Sequence, residues 1–227
     1  MKLCSWNCNG GFKSKNKYKK CCEFDICFIQ ECLNENNSFN LNLFEWSAEK
    51  DRKKGLGLFV SNNIDVEYYR KIIKNEINDC IYIKIKNGLT IIGIWAKPYN
   101  GRSTYKNYVK TVLNIIEELK EILCTEDCIL IGDFNSNKIF DKLCGEENHS
   151  LIVEKLRNLG YSSLYHDIYN EEFGAETIST HKNRGTNKEY HVDYCFYKKT
   201  IKSRIINFHI DGDYSLSDHK MLKLEII

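Results

Sequence analysis

The sequence predicts an α+β fold in which two packed β-sheets are flanked by helices, and three observations carry the prediction. Apolar runs of strand length dominate the chain. Hairpin signals outnumber crossovers between them, and the helical periodicities fall between groups of hairpins. A doubly wound sheet would instead alternate strand and helix throughout. The 227 residues, 42% of them hydrophobic, suit one domain over 1–227 with a sizeable core. A single proline and 12% aromatic residues argue against a linker-rich or disordered chain.

In order, a strand at 2–6 runs into the turn Asn7-Cys8-Asn9-Gly10-Gly11, and a lysine-rich segment at 13–23 leads to a buried strand at 26–30. Further strands are predicted at 56–60, 66–69 and 81–85, where Ile81, Ile83 and Ile85 alternate with Tyr82 and Lys84. Asn87-Gly88 is a hairpin signal before the apolar run 89–96. From Tyr105 to Leu123 the apolar residues recur at helical spacing, with Ser103 or Thr104 as N-cap. A strand at 128–132 then delivers Asp133. A helix near 151–159 follows, and the rest reads as strands at 162–165, 177–181, 190–197, 201–209 and 221–226.

The formal net charge is only +2, so coating of a polyanion by bulk charge is excluded and local patches must carry any such contact. Lys13, Lys15, Lys17, Lys19 and Lys20 form one run, and Lys50, Arg52, Lys53 and Lys54 another. Eleven cysteines without a CxxC pair are read as buried small hydrophobes rather than zinc ligands. With no apolar run of signal-peptide type at the start, this indicates a reducing, intracellular (cytoplasmic) setting. No stretch reaches the length of a membrane span, so no membrane partner is expected.

Polar residues cluster just past apolar strand ends at five places: Asn7 with Asn9, Glu31, Asp133 with Asn135, Asp193, and Asp218 with His219. Singly, each suits a turn or a solvated strand end. Jointly, strand ends bring distant side chains together on a rigid frame. Carboxylates and amides with a single histidine favour Mg²⁺, or Mn²⁺, over zinc. Phosphodiester hydrolysis needs such a set: a cation for the phosphoryl charge, a base for water, and donors for the transition state.

The ordered motifs Trp6-Asn7-Cys8-Asn9-Gly10, Gln30-Glu31, Gly132-Asp133-Phe134-Asn135, His191-Val192-Asp193-Tyr194 and Ser217-Asp218-His219 resemble the signature of the endonuclease/exonuclease/phosphatase superfamily. The resemblance implies a deoxyribonuclease-like, four-layer α/β/β/α sandwich of two mixed sheets, and a metal-dependent phosphodiesterase acting on nucleic acid. It also implies Glu31 as principal metal ligand, with Asn9 and Asp218 in the metal's shell. Asp193 would orient His219, which contacts the phosphate or activates water. Asp133 would position or deprotonate that water, while Asn135 and Asn7 donate to the phosphate. Either Asp133 or His219 is the base.

Two departures bear on substrate. Where nucleases of this superfamily carry a Tyr or His two residues before a proline, the chain reads Trp95-Ala96-Lys97-Pro98-Tyr99. Trp95, Lys97 and Tyr99 would share a face; Lys97 then replaces a neutral donor by a cation, or is solvated. Arg102 resembles a DNA-touching arginine of apurinic endonucleases. The segment before Asp193 holds His181, Lys182, Arg184, Lys188 and Tyr190 but no Trp or Phe, favouring general polyanion contact by His181 and its neighbours over an abasic pocket built on Tyr190. The lysines at 13–20 follow the Asn9 turn and are read as phosphate contacts. The alternatives are a phosphatase or phospholipase of the same fold, whose usual insertions this short chain lacks, and a catalytically silent nucleic-acid-binding module.

Overall fold

The computed structural model describes residues 1–34, 41–48, 53–71, 80–98 and 102–227; Lys50, Arg52 and Tyr99 lie outside them. The first sheet holds β1 (Lys2–Asn7), β2 (Ile26–Leu33), β3 (Leu41–Ser47) and β4 (Lys54–Ser61), joined by β13 (Ile205–Ile210) and β14 (Leu222–Ile226) from the end of the chain. The second holds β5 (Val66–Lys71), β6 (Cys80–Ile85), β7 (Leu89–Trp95), β8 (Asp127–Asp133), β9 (Tyr161–Ser163) and β12 (Asp193–Lys198). The orders are β13-β14-β1-β2-β4-β3 and β5-β6-β7-β8-β12-β9. Each sheet has one parallel pair, β1 with β2 and β7 with β8, among antiparallel neighbours. Both sheets are therefore mixed, as expected.

The apolar faces of the two sheets form one core, in which Leu3, Phe28 and Leu58 of the first meet Ile83, Ile91 and Ile131 of the second. Each such side chain contributes roughly 1.5–3 kcal/mol by leaving water. Helix α1 (Lys15–Cys21) covers the first sheet's outer face with Tyr18 and Cys21. Helices α2 (Tyr105–Glu118), α3 (Lys120–Thr125) and α5 (His149–Asn158) cover the second's. A short α4 (Asp141–Cys144) lies between them, and α6 (Leu164–Tyr169) follows β9. All eleven cysteines are free, Cys22 and Cys124 exposed and the others buried.

Several expected elements differ. The single helix expected to Leu123 breaks at Leu119 (φ −94°, ψ 7°), with Leu119 and Leu123 both still buried. The strand expected at 162–165 ends at Ser163, because Ser163 Oγ engages His166 Nδ1 at 2.8 Å and the chain turns into α6. At 177–181 only His181–Lys182 (β10) is strand, paired with Glu189–Tyr190 (β11). The amides of Thr177 and Ile178 donate to Glu171 Oε2 (2.8 Å) and the Tyr165 hydroxyl (3.1 Å), so no ladder claims them. The strand expected over 190–197 is interrupted at 191–192, where Val192 N donates to Thr180 Oγ1 at 2.9 Å. Residues 199–204 are a 3-10 turn. The edge strand β3 was not predicted; it has one neighbour and few β-branched residues.

Beneath the second sheet, His149 is wholly buried against Tyr194, its Nδ1 2.9 Å from Ser136 Oγ. Burial first, then His166, His191 and Lys138, push its pKa down to about 3, against the pull of Glu176. The folded value lies below the ordinary 6.5, so the unfolded chain takes up the proton first and stability is lost as pH falls below that value. Asp133 and His219, both raised, respond in the opposite sense, so the effect is read by comparison. Between pH 7 and pH 5, urea unfolding should show wild type losing about 2 kcal/mol relative to His149→Gln.

Candidate active site

The five motifs meet at one end of the sandwich, where the last residues of β1 and β8, the first of β12 and the Gln30-Glu31 segment of β2 lie side by side. The register pairs Asn7 with Gln30, and Asp133 with both Trp95 and Asp193. Two of the motifs share one local design. Asn7 Oδ1 accepts the amide of Asn9, and Asp133 Oδ1 that of Asn135, each at 3.0 Å. In both, the second asparagine is left-handed, with φ 49°. Glu31 is left-handed too, at φ 59°. Such backbone is costly for non-glycine residues and gathers at functional sites. Asn9 and Asn135 lie just past β1 and β8, whereas Glu31 lies inside β2, at the register shift against β4 between Ile29 and Cys32, and not past a strand ending at residue 30 as expected.

Asn7 links the two sheets. Its Nδ2 donates to Glu31 Oε1 at 3.3 Å and to Asp133 Oδ2 at 3.0 Å. Asn135 Nδ2 donates to the same Asp133 oxygen and to the Ala96 carbonyl, both at 3.0 Å. Asp133, Asp193 and His219 form a buried group whose nearest side-chain atoms all lie within 4.8 Å of one another. His219 Nδ1 is 2.9 Å from Asp193 Oδ2. Burial, and then Asp193, raise the Asp133 carboxyl to about 7, opposed by His219 and the hydrogen bonds. Burial works against the His219 imidazolium but is outweighed by Asp193 and Asp133, so its pKa is raised.

Asn9 Nδ2 donates to Asp218 Oδ2 at 3.0 Å, which leaves the Asn9 carbonyl oxygen as the atom to offer a cation. Both expected metal-ligand carboxylates already attract positive charge: Lys54 Nζ lies 2.6 Å from Glu31 Oε2, and Arg184 Nε 3.3 Å from Asp218 Oδ2. Glu31, Asp218 and Asn9 are hard oxygen donors at the rim of the buried group, which fits a magnesium-class ion and not a thiophilic one.

Of the four residues expected to meet substrate, His181 stands closest to the buried group, its ring centroid 4.4 Å from that of His219. Burial, then the His219 charge, lower its pKa. Tyr190 is half-buried against Phe140. Lys97 folds its ammonium over the Trp95 ring, 5.1 Å from the centroid, and Arg102 is exposed ahead of α2.

The structure gives positions in the site to residues to which the sequence assigned no individual role. Thr180 Oγ1 accepts the amides of Val192 (2.9 Å) and Asp193 (3.0 Å), fixing the entry to β12. Ser217 Oγ donates to the Asn7 carbonyl at 2.7 Å and accepts the His219 amide at 3.2 Å, while Trp6 Nε1 donates to the His219 carbonyl at 2.9 Å. From the first lysine run, Lys17 Nζ donates to the carbonyls of Cys8 and Gly10, the latter at 2.7 Å, and so holds the Asn9 turn. The sequence signal for Lys17 and Lys54 was their place in basic runs; Thr180 gave none.

This architecture, two mixed sheets flanked by helices with a carboxylate–imidazole group at one end, is the deoxyribonuclease-like fold of a phosphoesterase. The profile of the endonuclease/exonuclease/phosphatase family matches residues 4–219, and the chain belongs to that family. No curated protein matches the sequence. Among solved structures, an AP endonuclease from Archaeoglobus fulgidus is 17% identical with a TM-score of 0.74. A 3′ phosphatase from Neisseria bound to a product DNA hairpin is 14% identical with a TM-score of 0.76. In each case 100% of this chain and 99% of the other are covered.

Proposed function

We propose that the chain is a divalent-metal-dependent nuclease, a single catalytic domain that hydrolyses nucleic-acid phosphodiester bonds with activated water. The observation that carries this reading is the convergence on Asp133: two side-chain amides at one carboxylate oxygen, the Asp193–His219 pair beside it, and Glu31 on the far arm of Asn7.

Asp133 accepts the proton of the attacking water, and Asn7 and Asn135 hold that carboxylate in place, each with both amide hydrogens already given to protein oxygens rather than to the phosphate as the sequence implied. His219, carrying its proton between Asp193 and Asp133, donates to a phosphoryl oxygen. Glu31, Asp218 and Asn9 would hold Mg²⁺ (or Mn²⁺), and such an ion would supply neutralisation of phosphoryl charge at the rim of the site. Lys54 and Arg184, beside the Glu31 and Asp218 carboxylates at the rim, suit a chain of phosphates rather than one small ester. The DNA product in the Neisseria phosphatase structure supports the same substrate class.

The test is a panel of plasmid, abasic oligonucleotide, RNA and a small bis-aryl phosphodiester. Nucleic acid should be cleaved with Mg²⁺, cleavage should stop with chelator, and excess Mg²⁺ or Mn²⁺ should restore it. Cleavage of the small ester alone would overturn the nucleic-acid assignment, and undiminished cleavage in chelator the metal assignment.

A further inference from the structure

We infer that an aromatic row leading away from the His219 imidazole is a stacking track for unpaired nucleobases, so that the preferred substrate is single-stranded nucleic acid. This rests on the nuclease reading above and narrows it. The row is built from four separate parts of the chain. The His219 and His181 rings are 4.4 Å apart. His181 lies directly opposite Tyr190 in the β10–β11 ladder, and opposite residues of an antiparallel pair project from the same face. The Tyr190 ring meets Phe140 edge-on at 5.2 Å and 60°. Phe140 in turn stacks on Tyr105, at the start of α2, at 3.8 Å and 10°.

The row is open to solvent along its length. His181, Tyr190, Phe140 and Tyr105 are all half-buried, unlike the core aromatics Phe134 and Tyr194, which are 0% and 1% exposed. Ile139 and Leu143 extend the apolar surface, at 51% and 68% exposure. Tyr190, Phe140 and Tyr105 hold one another in place, and the β10–β11 ladder sets His181 beside them, so a base that joins them meets a pre-formed platform. Basic residues are interleaved with the rings: Lys106, Lys138 and Lys188 are exposed and stand within two residues of Tyr105, Phe140 and Tyr190.

Aromatic faces with interleaved cations suit a single strand, whose bases are free to stack while its phosphates meet the lysines. A duplex keeps its bases stacked internally and presents mainly phosphates to such a surface. The stacking is blind to base identity, so the track selects strandedness rather than sequence.

The test measures binding by the full chain in chelator, using a single-stranded oligonucleotide with 2-aminopurine beside a non-hydrolysable linkage, and the matching duplex. Wild type should quench the 2-aminopurine and bind the single strand more tightly than the duplex. Phe140→Leu and Tyr190→Leu keep apolar bulk without a ring. Each should relieve the quench and weaken single-strand binding about tenfold, with duplex binding changed less than about twofold. Because a merely structural loss would weaken both ligands alike, equal loss overturns the proposal. A wild type that cleaves nucleic acid, while both variants quench as wild type does, overturns the track and leaves the nuclease reading standing. A wild type that neither cleaves nor quenches any nucleic acid overturns both.

Discussion

Replacing Asp133 by asparagine is expected to lower phosphodiester hydrolysis by at least about a hundredfold while the chain still folds. The substitution keeps the volume of a fully buried side chain and an oxygen for the Asn135 backbone amide. What it removes is the one buried carboxylate oxygen on which Asn7 and Asn135 both converge. An amide nitrogen there faces two donors, so the site loses the proposed proton acceptor and the hydrogen bonds that fix it. His219→Ala is the companion substitution, deleting the donor that Asp193 orients. Steady-state rates on the best substrate of the panel, with thermal midpoints beside them, make the measurement. If neither substitution lowers hydrolysis, the roles given to Asp133 and His219 fail. If the wild type binds nucleic acid without hydrolysing it, the silent-module reading takes their place.

Most motif residues were legible in the sequence because they stand at or beside the end of an apolar strand, where the frame rather than the side chain fixes their position. Glu31 is the exception, set inside β2 at a register shift that no periodicity records. Asn7, Asp133, Asp193 and His219 needed only the order of strands to be brought together. What escaped was the set of polar contacts made by ordinary-looking residues. Thr180 sits in a segment that reads as strand, yet its hydroxyl accepts two consecutive amides and thereby breaks the ladder before Asp193. Ser163 likewise ends β9 through a side-chain contact that no periodicity records. The aromatic row was hidden for a related reason. The segment before Asp193 contributes only His181 and Tyr190, while Phe140 and Tyr105 come from a 3-10 turn and the first residue of α2. Basic runs were easy to see, but only packing could say that Lys54 reaches Glu31 while Lys17 caps a turn.

Gly132→Ala is expected to cost at least about 3 kcal/mol of stability, among the largest effects of any single substitution outside the candidate site. Gly132 has φ 153°, a region L side chains rarely adopt, and stands directly opposite Ile94 in the parallel β7–β8 pair. A Cβ built there lies 2.0 Å from the Ile94 carbonyl oxygen and 2.8 Å from its carbon. Both are backbone atoms of a central strand and have nowhere to go. The strands must separate one residue before Asp133, where the Ala96 amide donates to the Asp133 carbonyl at 2.8 Å and the Ala96 carbonyl holds Asn135 at 3.0 Å. Packing and the geometry of the candidate site therefore fail together. Gly88→Ala supplies the contrast: φ there is 83° and a Cβ would meet nothing within 4 Å, so only the backbone penalty of about 1–2 kcal/mol applies. Urea unfolding of both variants measures the difference, and equal losses would mean that β7 can shift to make room. Hydrolysis by whatever folded Gly132→Ala protein remains should fall as well, whereas Gly88→Ala should keep the wild-type rate, because only the first substitution disturbs the strand that carries Asp133.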